Sequence, residues 1–170
     1  MNYFKDFDNW NNLKKDIDQK VVDKSVFFNE RDVWWCTLGV NIGIESDGKN
    51  DVFERPVLIL KVFNKDMIWC LPVTSTLKLS PFYHQINFNT GLRSVMITQI
   101  RTISSKRLQR RVDIVTDEDF ITIKYAIATL LLESETPALS GGISEAEATN
   151  TLSIGDKSVP SQEMFEWELD

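Results

Sequence analysis

Two neighbouring stretches of almost continuous apolar residues form the strongest hydrophobic pattern in the chain. They are Arg-Pro-Val-Leu-Ile-Leu at residues 55–60 and Leu-Pro-Val-Thr-Ser at residues 71–75. Runs of this kind, with little polar alternation, predict strands that are buried on both faces. The polar Asn-Lys-Asp turn at residues 64–66 would let the two strands pair as an antiparallel hairpin. Such a hairpin brings Arg55, where the first strand begins, beside Thr74, where the second ends.

Weaker patterns on both sides of the hairpin predict further short strands between two helices. From residue 4 to residue 21, apolar residues recur at steps of three and four, which predicts an amphipathic helix packed on the rest of the domain or on a second subunit. Thr116 and Asp119 have the spacing of a capping box at the start of a last helix. Strands are predicted at residues 33–38, 56–62, 67–74, 84–88, 93–99 and 111–115. Many short strands closed by one helix indicate a small SH3-like barrel, in a class between all-β and α+β.

Changes in composition divide the chain into three predicted parts. Residues 1–30 form the helical extension, residues 31–132 the barrel domain, and residues 133–170 an acidic tail. The tail is rich in Ser, Thr, Glu, Gly and Pro, and such a segment buries too little apolar surface to offset the entropy lost on ordering, so we expect it to be disordered. Within the barrel domain, the polar connection at residues 40–54 is long for a hairpin, which is typical of a mobile functional loop.

The net charge of −6 conceals an uneven distribution along the chain. The tail contains nine acidic residues and one basic residue, whereas residues 1–132 contain sixteen acidic and eighteen basic residues. The domain that precedes the tail is therefore slightly basic and compatible with a polyanionic ligand. Its densest basic cluster comprises Arg101, Lys106, Arg107, Arg110 and Arg111. This cluster is either a solvated turn or a patch that steers a phosphate backbone regardless of sequence.

Several kinds of protein are excluded by what the sequence lacks. No apolar run approaches the roughly 20 residues of a membrane-spanning helix, and the first residues lack the apolar stretch of a secretory signal, so we expect a cytoplasmic protein. No pair of His or Cys residues has metal-ligand spacing and there is no glycine-rich phosphate loop, so neither a metal nor a cofactor is expected. Cys36 and Cys70 lie in apolar strands and are expected to be reduced core residues, unless those strands are neighbours and the two form a disulfide. The single histidine, His84, excludes any mechanism that needs two histidines of one chain.

The order and spacing of several short motifs resemble the PemK/MazF family of toxin endoribonucleases. The motifs are the two apolar stretches of the hairpin, Val-Trp-Trp-Cys-Thr-Leu-Gly at residues 33–39, Gly-Ile-Glu at residues 43–45, and Thr-Gln-Ile-Arg-Thr-Ile at residues 98–103. The resemblance implies a barrel that is usually a homodimer and a toxin that a cognate antitoxin restrains. It also implies metal-independent cleavage of single-stranded RNA by 2′-hydroxyl attack, which leaves a cyclic phosphate and a 5′-hydroxyl.

The resemblance also implies roles for individual residues. Arg55 would contact the scissile phosphate, Thr74 would donate a hydrogen bond to it, and Glu45 would have a supporting or proton-transfer role. A guanidinium stays protonated and matches two phosphate oxygens, although Arg55 would otherwise form an ion pair at the rim and Thr74 would be a simple strand-end hydroxyl. The predicted RNA-binding residues are Ser75, Gln99 and Arg101, with Trp34 or its neighbour Trp35 as a stacking surface if either is not simply core, and His84 if it does more than form a hydrogen bond at the rim.

The last eight residues, 163–170, alternate acids with large apolar groups. Family antitoxins often end in acidic, tryptophan-bearing peptides, so this segment would be able to occupy the RNA groove of its own chain. Otherwise it is a solvated tail or an unrelated docking peptide. Two other functions stay open on the same barrel. One is a non-catalytic inhibitor like the gyrase-poisoning relatives of the fold, and the other is a self-silenced binding module.

Overall fold

The computed structural model describes residues 5–21, 27–88 and 90–132. The predictions for the tail at residues 133–170, both its disorder and its docking, lie outside the described residues. The described elements, in chain order, are α1 (Phe7–Gln19), β1 (Asp32–Thr37), β2 (Glu54–Val62), β3 (Met67–Thr74), β4 (Tyr83–Phe88), β5 (Gly91–Met96), β6 (Arg101–Ser104), β7 (Leu108–Ile114) and α2 (Asp117–Leu132). Within this described part, no helix is long and apolar enough to cross a membrane.

The sheet is organised around β3, which changes its neighbour halfway along one edge. That edge pairs with β6 over residues 67–70 and with β5 over residues 73–74, while the other edge pairs with β2. The strand order is β4-β5-β3-β2-β1-β7, every pair is antiparallel, and β6 lies beside β3 off this path. Because β5 and β6 share one edge of β3, the sheet curls into a half-barrel. The predicted small barrel with a C-terminal helix is confirmed.

The segment predicted as one strand at residues 93–99 contains a strand and a turn. β5 ends at Met96, a single 3₁₀ turn covers Ile97–Gln99, and β6 then begins at Arg101. This turn carries the chain from the β5 half of β3 to the β6 half. The local sequence is rich in β-branched residues and does not mark the break, because strand propensity reports packing on a pleated surface and not the identity of the partner strand.

Residues of β2 alternate between two apolar cores, as expected for a strand buried on both faces. Leu58 and Leu60 belong to the first core, which lies under α2 and includes Phe120 and Ile123 of that helix. The second core lies on the opposite face of the sheet. It comprises Trp34, Cys36, Leu38, Val57, Ile59, Ile68, Cys70 and Ile103.

Both cysteines are free thiols in the second core. Burial raises the pKa of the Cys70 thiol to about 12 and raises the pKa of Cys36 well above its ordinary value, because the thiolate would lose its hydration there. Thiols with so little thiolate are poor nucleophiles. The prediction that both cysteines are reduced core residues is confirmed, and neither is a candidate for catalysis.

The predicted amphipathic helix is confirmed as α1, and it packs on its own barrel domain. Its buried residues Trp10 and Ile17 form a third apolar cluster with Val40 and Phe53, which belong to the connection between β1 and β2. The rings of Trp10 and Phe53 meet edge to face with their centroids 5.8 Å apart. The extension is therefore anchored on the same long connection that the sequence predicts to be functional.

Gly39 is the point of close approach between the barrel and α1. Its φ of +92° lies in the region that favours glycine, and a Cβ atom added there would lie 2.3 Å from the Trp10 ring. Docking of α1 thus requires glycine at this position for both backbone and steric reasons.

We expect Gly39→Ala to lower the free energy of unfolding by about 3 kcal/mol, the sum of left-handed backbone strain and overpacking against Trp10. Urea denaturation measures this difference. Gly43→Ala is the matched control because Gly43 also has a positive φ of +58° but has no atom within 4 Å of an added Cβ, so only the backbone cost of about 1 kcal/mol should appear. Equal losses in the two variants would contradict the proposed contact.

Candidate functional site

Arg55 and Thr74 lie side by side at one rim of the half-barrel. β2 and β3 pair Val57 with Pro72, and the same register continued two residues puts Arg55 opposite Thr74. The Arg55 Nη1 atom donates a hydrogen bond to the Val73 carbonyl oxygen at 3.4 Å. Both side chains are partly exposed and line the same pocket, which has a volume of about 270 Å³. The two groups are accessible and converge from neighbouring strands.

The walls of this pocket, which we call the rim pocket, carry more positive than negative charge. Arg55 is joined by Lys49 and Arg93, and the acidic residue in the lining is Glu54. The Glu54 carboxylate is buried and forms an ion pair with Arg110 at 3.1 Å, so its charge is compensated. The rim pocket therefore favours an anion, because its cations exceed its uncompensated carboxylates.

A hydroxyl pair and an aromatic ring complete the rim pocket. Thr74 and Ser75 contribute hydroxyl groups, and Trp35 forms part of the wall. The Arg110 guanidinium lies 5.1 Å from the centroid of the Trp35 ring, which holds that ring in place by a cation–π contact. A pocket with cations, hydroxyls and a ring can hold a phosphate and an unpaired base together.

The orientation of Arg55 depends on the connection between β1 and β2. The Arg55 Nε atom donates to the Asp47 carbonyl oxygen at 2.5 Å. The Asp47 carboxylate accepts a hydrogen bond from the backbone N–H of Asn41 at 2.6 Å and forms an ion pair with Lys5 Nζ at 3.0 Å. Lys5 also donates to the Asn41 carbonyl oxygen at 2.6 Å. Lys5, just before α1, thus helps to hold the loop that holds Arg55.

Gln99 supports the part of this loop that carries Glu45. Its side-chain oxygen accepts a hydrogen bond from the Ser46 amide at 3.1 Å, and its side-chain nitrogen donates to the Ile44 carbonyl oxygen at 3.4 Å. The predicted base-contacting amide is thus engaged in positioning the loop. Glu45 is exposed, and it lines a second cavity of about 510 Å³ together with Arg55. Glu45 and Thr74 therefore approach Arg55 from different cavities.

The structure does not bring Trp34 or His84 into the rim pocket. Trp34 is 7% exposed and belongs to the second core, while its neighbour Trp35 points to the other side of β1 and lines the pocket. Of the two tryptophans, Trp35 is thus the one able to stack a base. His84 Nε2 lies 2.9 Å from the Asp119 carboxylate and so ties β4 to the first turn of α2. That contact agrees with the alternative prediction for His84, a hydrogen bond at the rim.

Most of the predicted basic cluster is engaged in contacts that hold the fold. Lys106 and Arg107 donate to backbone carbonyl oxygens of α1 and the end of β1, and Arg110 and Arg111 pair with buried carboxylates. Arg101 differs, because no described residue accepts a hydrogen bond from its side chain or forms an ion pair with it, and it lines a groove beside α1. The cluster as a whole is therefore neither a free turn nor a free cationic patch.

Sequence reasoning did not identify Lys49 and Arg93 as pocket residues. Lys49 lies in the long connection, where nothing in the sequence separates it from the other charged residues. Arg93 lies in β5, beyond a turn. Pairing of β5 with the end of β3 is the one feature that would have indicated that Arg93 lies near Thr74. Within the described residues, no group of three or more His, Cys, Asp or Glu side chains is arranged to hold a metal ion.

Comparisons with known proteins identify one matching family and several similar solved structures. A protein family described as "PemK-like, MazF-like toxin of type II toxin-antitoxin system" matches residues 29–131. A crystal structure of MazF from Deinococcus radiodurans is similar, with a TM-score of 0.53 and 20% identity over 63% of this chain and 98% of that one. An endoribonuclease in complex with its cognate antitoxin from Mycobacterial species has a TM-score of 0.47 and 18% identity over 62% of this chain and 95% of that one. No curated protein matches the chain.

We expect Asp47→Asn to loosen the loop that carries Glu45, because it removes the charge that pairs with Lys5. Local opening should become easier by about 1 kcal/mol, so amide hydrogen exchange at residues 41–48 should accelerate about fivefold. Asp51→Asn is the matched control, since Asp51 is an exposed carboxylate in the same connection. Faster exchange in both variants, or in neither, would contradict a specific role for Asp47.

Proposed function

This chain belongs to the PemK-like, MazF-like toxins of type II toxin–antitoxin systems, and we propose that it is a metal-independent endoribonuclease for single-stranded RNA. The observation that carries the proposal is the convergence of Arg55 and Thr74 in one cationic, partly exposed pocket. Fold alone does not determine activity, so the proposal depends on these side chains.

The proposed reaction is transesterification within the RNA strand. The ribose 2′-oxygen attacks the adjacent phosphorus, the bond from phosphorus to the 5′-oxygen breaks, and a cyclic phosphate and a 5′-hydroxyl result. The proton of the 2′-hydroxyl passes to a base, and the departing 5′-oxygen gains a proton. The phosphorane formed between these steps carries additional negative charge, which a preorganised cation stabilises more strongly than it stabilises the starting phosphodiester.

Arg55 is suited to the electrostatic part of this reaction. Its hydrogen bonds to the Asp47 and Val73 carbonyl oxygens hold the guanidinium at the wall of the rim pocket. The permanent charge and planar geometry of that group match non-bridging phosphate oxygens. Thr74 would donate a second hydrogen bond to the same phosphate, and Glu45, from the neighbouring cavity, is our candidate for proton transfer.

The remaining pocket residues suggest how the RNA would be held. Ser75 and Lys49 are suited to phosphate contacts, and Trp35 to stacking of an unpaired base. The Arg93 guanidinium donates to the carbonyl oxygens of Thr90 and Leu92, so it supplies positive charge at the wall of the pocket. Gln99 would act indirectly through the loop that carries Glu45. This set adds Lys49 and Arg93 to the residues that the sequence suggested, and Trp35 takes the place of Trp34.

The family also suggests the partners. A toxin of a type II system is paired with an antitoxin protein, so we propose that a cognate antitoxin restrains this chain. We further propose that it acts in the cytoplasm, on messenger RNA, as a homodimer. We also propose that residues 163–170 of the tail occupy the RNA-binding groove of their own chain, because that segment is acidic and contains aromatic residues.

Arg55→Ala should lower the rate of RNA cleavage by about 100- to 1,000-fold, because it removes the main stabilising charge from the phosphorane. Thr74→Val, which keeps the side-chain shape, should lower it by about tenfold. The measurement is the mapping and quantification of 5′-hydroxyl ends on a mixed RNA pool in the presence of a chelator.

Lys61→Met is the matched control for loss of one positive charge, since Lys61 lies at the far end of β2 and its side chain is 53% exposed. Cleavage by this variant should equal that of the wild type. RNA that stays intact in chelator but is cleaved when a divalent metal is added would overturn the metal-independent mechanism. Unchanged cleavage by Arg55→Ala would overturn the assignment of the site.

A further inference from the structure

A large groove runs between α1 and the segment at residues 98–103, and it is separate from the rim pocket. Its volume is about 930 Å³. The lining contains three cations, Lys14, Arg101 and Arg107, but Glu45 is its one acidic residue. Asparagine, glutamine and threonine side chains contribute polar groups between them, and Phe7 contributes an aromatic ring that is 47% exposed. The groove thus combines excess positive charge with an accessible ring.

Shared wall residues connect this groove to the proposed catalytic residues. Glu45 lines both the groove and the second cavity, and Arg55 lines both the second cavity and the rim pocket that contains Thr74. The three cavities therefore follow one another around the Glu45 loop. A strand whose phosphate lay between Arg55 and Thr74 would be able to continue past Glu45 towards α1.

We propose that the groove beside α1 binds the segment of single-stranded RNA that flanks the cleaved bond. Lys14 and Arg101 contact its phosphates, and Phe7 stacks on one of its bases. This inference rests on the proposed function, because it extends the substrate-binding surface of the same site. It assigns a binding role to the N-terminal helix, which the resemblance to the family left without a role.

The cations of the groove differ in their freedom to bind a ligand. Arg107 is held by the carbonyl oxygens of Thr37 and Leu38 and lies 5.2 Å over the Trp10 ring, so it is a structural residue. Among the described residues, none pairs with or accepts a hydrogen bond from the side chain of Lys14 or Arg101, and both side chains line the groove. The lysine is exposed on α1 and the arginine is half-buried at the start of β6. Two available cations in the lining of one groove, one on α1 and one on β6, suit a polyanionic strand.

The choice of RNA over an acidic peptide follows from position and charge. The groove is linked through the second cavity to the pocket where we propose that the phosphate binds. Single-stranded nucleic acids bind in cationic grooves that also present stacking rings. The exposed side chains of Ile42 and Ile44, which also line the groove, would suit the apolar residues of such a peptide. That alternative is one of the outcomes that the test separates.

The test compares Lys14→Ala with Lys15→Ala in the full-length protein. The probe is a fluorescent mixed-sequence 2′-fluoro RNA of about 12 nucleotides, which lacks the attacking hydroxyl and is long enough to extend beyond one pocket. Lys14→Ala should weaken binding about fivefold and lower the magnitude of the log–log salt slope by about 0.7, the value for one lost phosphate contact with a single strand. Lys15 is equally charged and exposed on the same helix but does not line the groove, so Lys15→Ala should match the wild type.

Equal effects of the two substitutions, or no effect of either, would overturn the proposal. If Lys14→Ala leaves RNA affinity unchanged but weakens binding of the cognate antitoxin, the groove is a peptide site and the proposal is also wrong. Failure of the proposed function looks different. In that case 5′-hydroxyl ends are absent with the wild-type protein, whereas the difference between the Lys14 and Lys15 variants in RNA binding persists.

Discussion

The antiparallel pairing of β2 with β3 is the interaction on which the rest of the site depends. Both strands are buried on both faces, so a slip of one residue would turn each apolar side chain towards the wrong core. The register of Val57 with Pro72, continued by two residues, is what puts Arg55 opposite Thr74 at the rim. The register shifts once, between Ile59 and Lys61, and the half of the hairpin nearer the rim keeps the alignment that brings the two polar groups together.

The candidate site also depends on contacts that hold the Arg55 side chain in one orientation at the rim. Arg55 donates a hydrogen bond to the Asp47 carbonyl oxygen. The Asp47 carboxylate in turn accepts a hydrogen bond from the backbone of Asn41 and forms an ion pair with Lys5. The connection therefore acts as a support between α1 and the pocket, with Gln99 supporting it from the other side. The N-terminal extension therefore contacts the loop that orients Arg55, although it lies outside the matched family segment.

The basic residues show that a cationic stretch in the sequence does not by itself indicate a binding surface. The densest cationic stretch of the sequence is mostly engaged with carbonyl oxygens and buried carboxylates, because a buried acid needs a cation beside it. The cations that face the rim pocket besides Arg55 are instead Lys49 and Arg93, which are far apart in the chain and inconspicuous in the sequence. A local cluster of charge therefore did not predict a free charged surface.

The sequence by itself determined the hairpin, the two helices, the buried thiols and the presence of Arg55 and Thr74 at one rim, because these follow from local periodicity and from the register of one pair of strands. Only the tertiary structure decided which tryptophan faces the pocket, where the strand after Met96 breaks, and which cations remain available. Those outcomes depend on the change of partner along β3 and on contacts between residues that are distant in sequence. Local propensity and spacing carry no information about such contacts, because the curl of the sheet determines which distant residues meet.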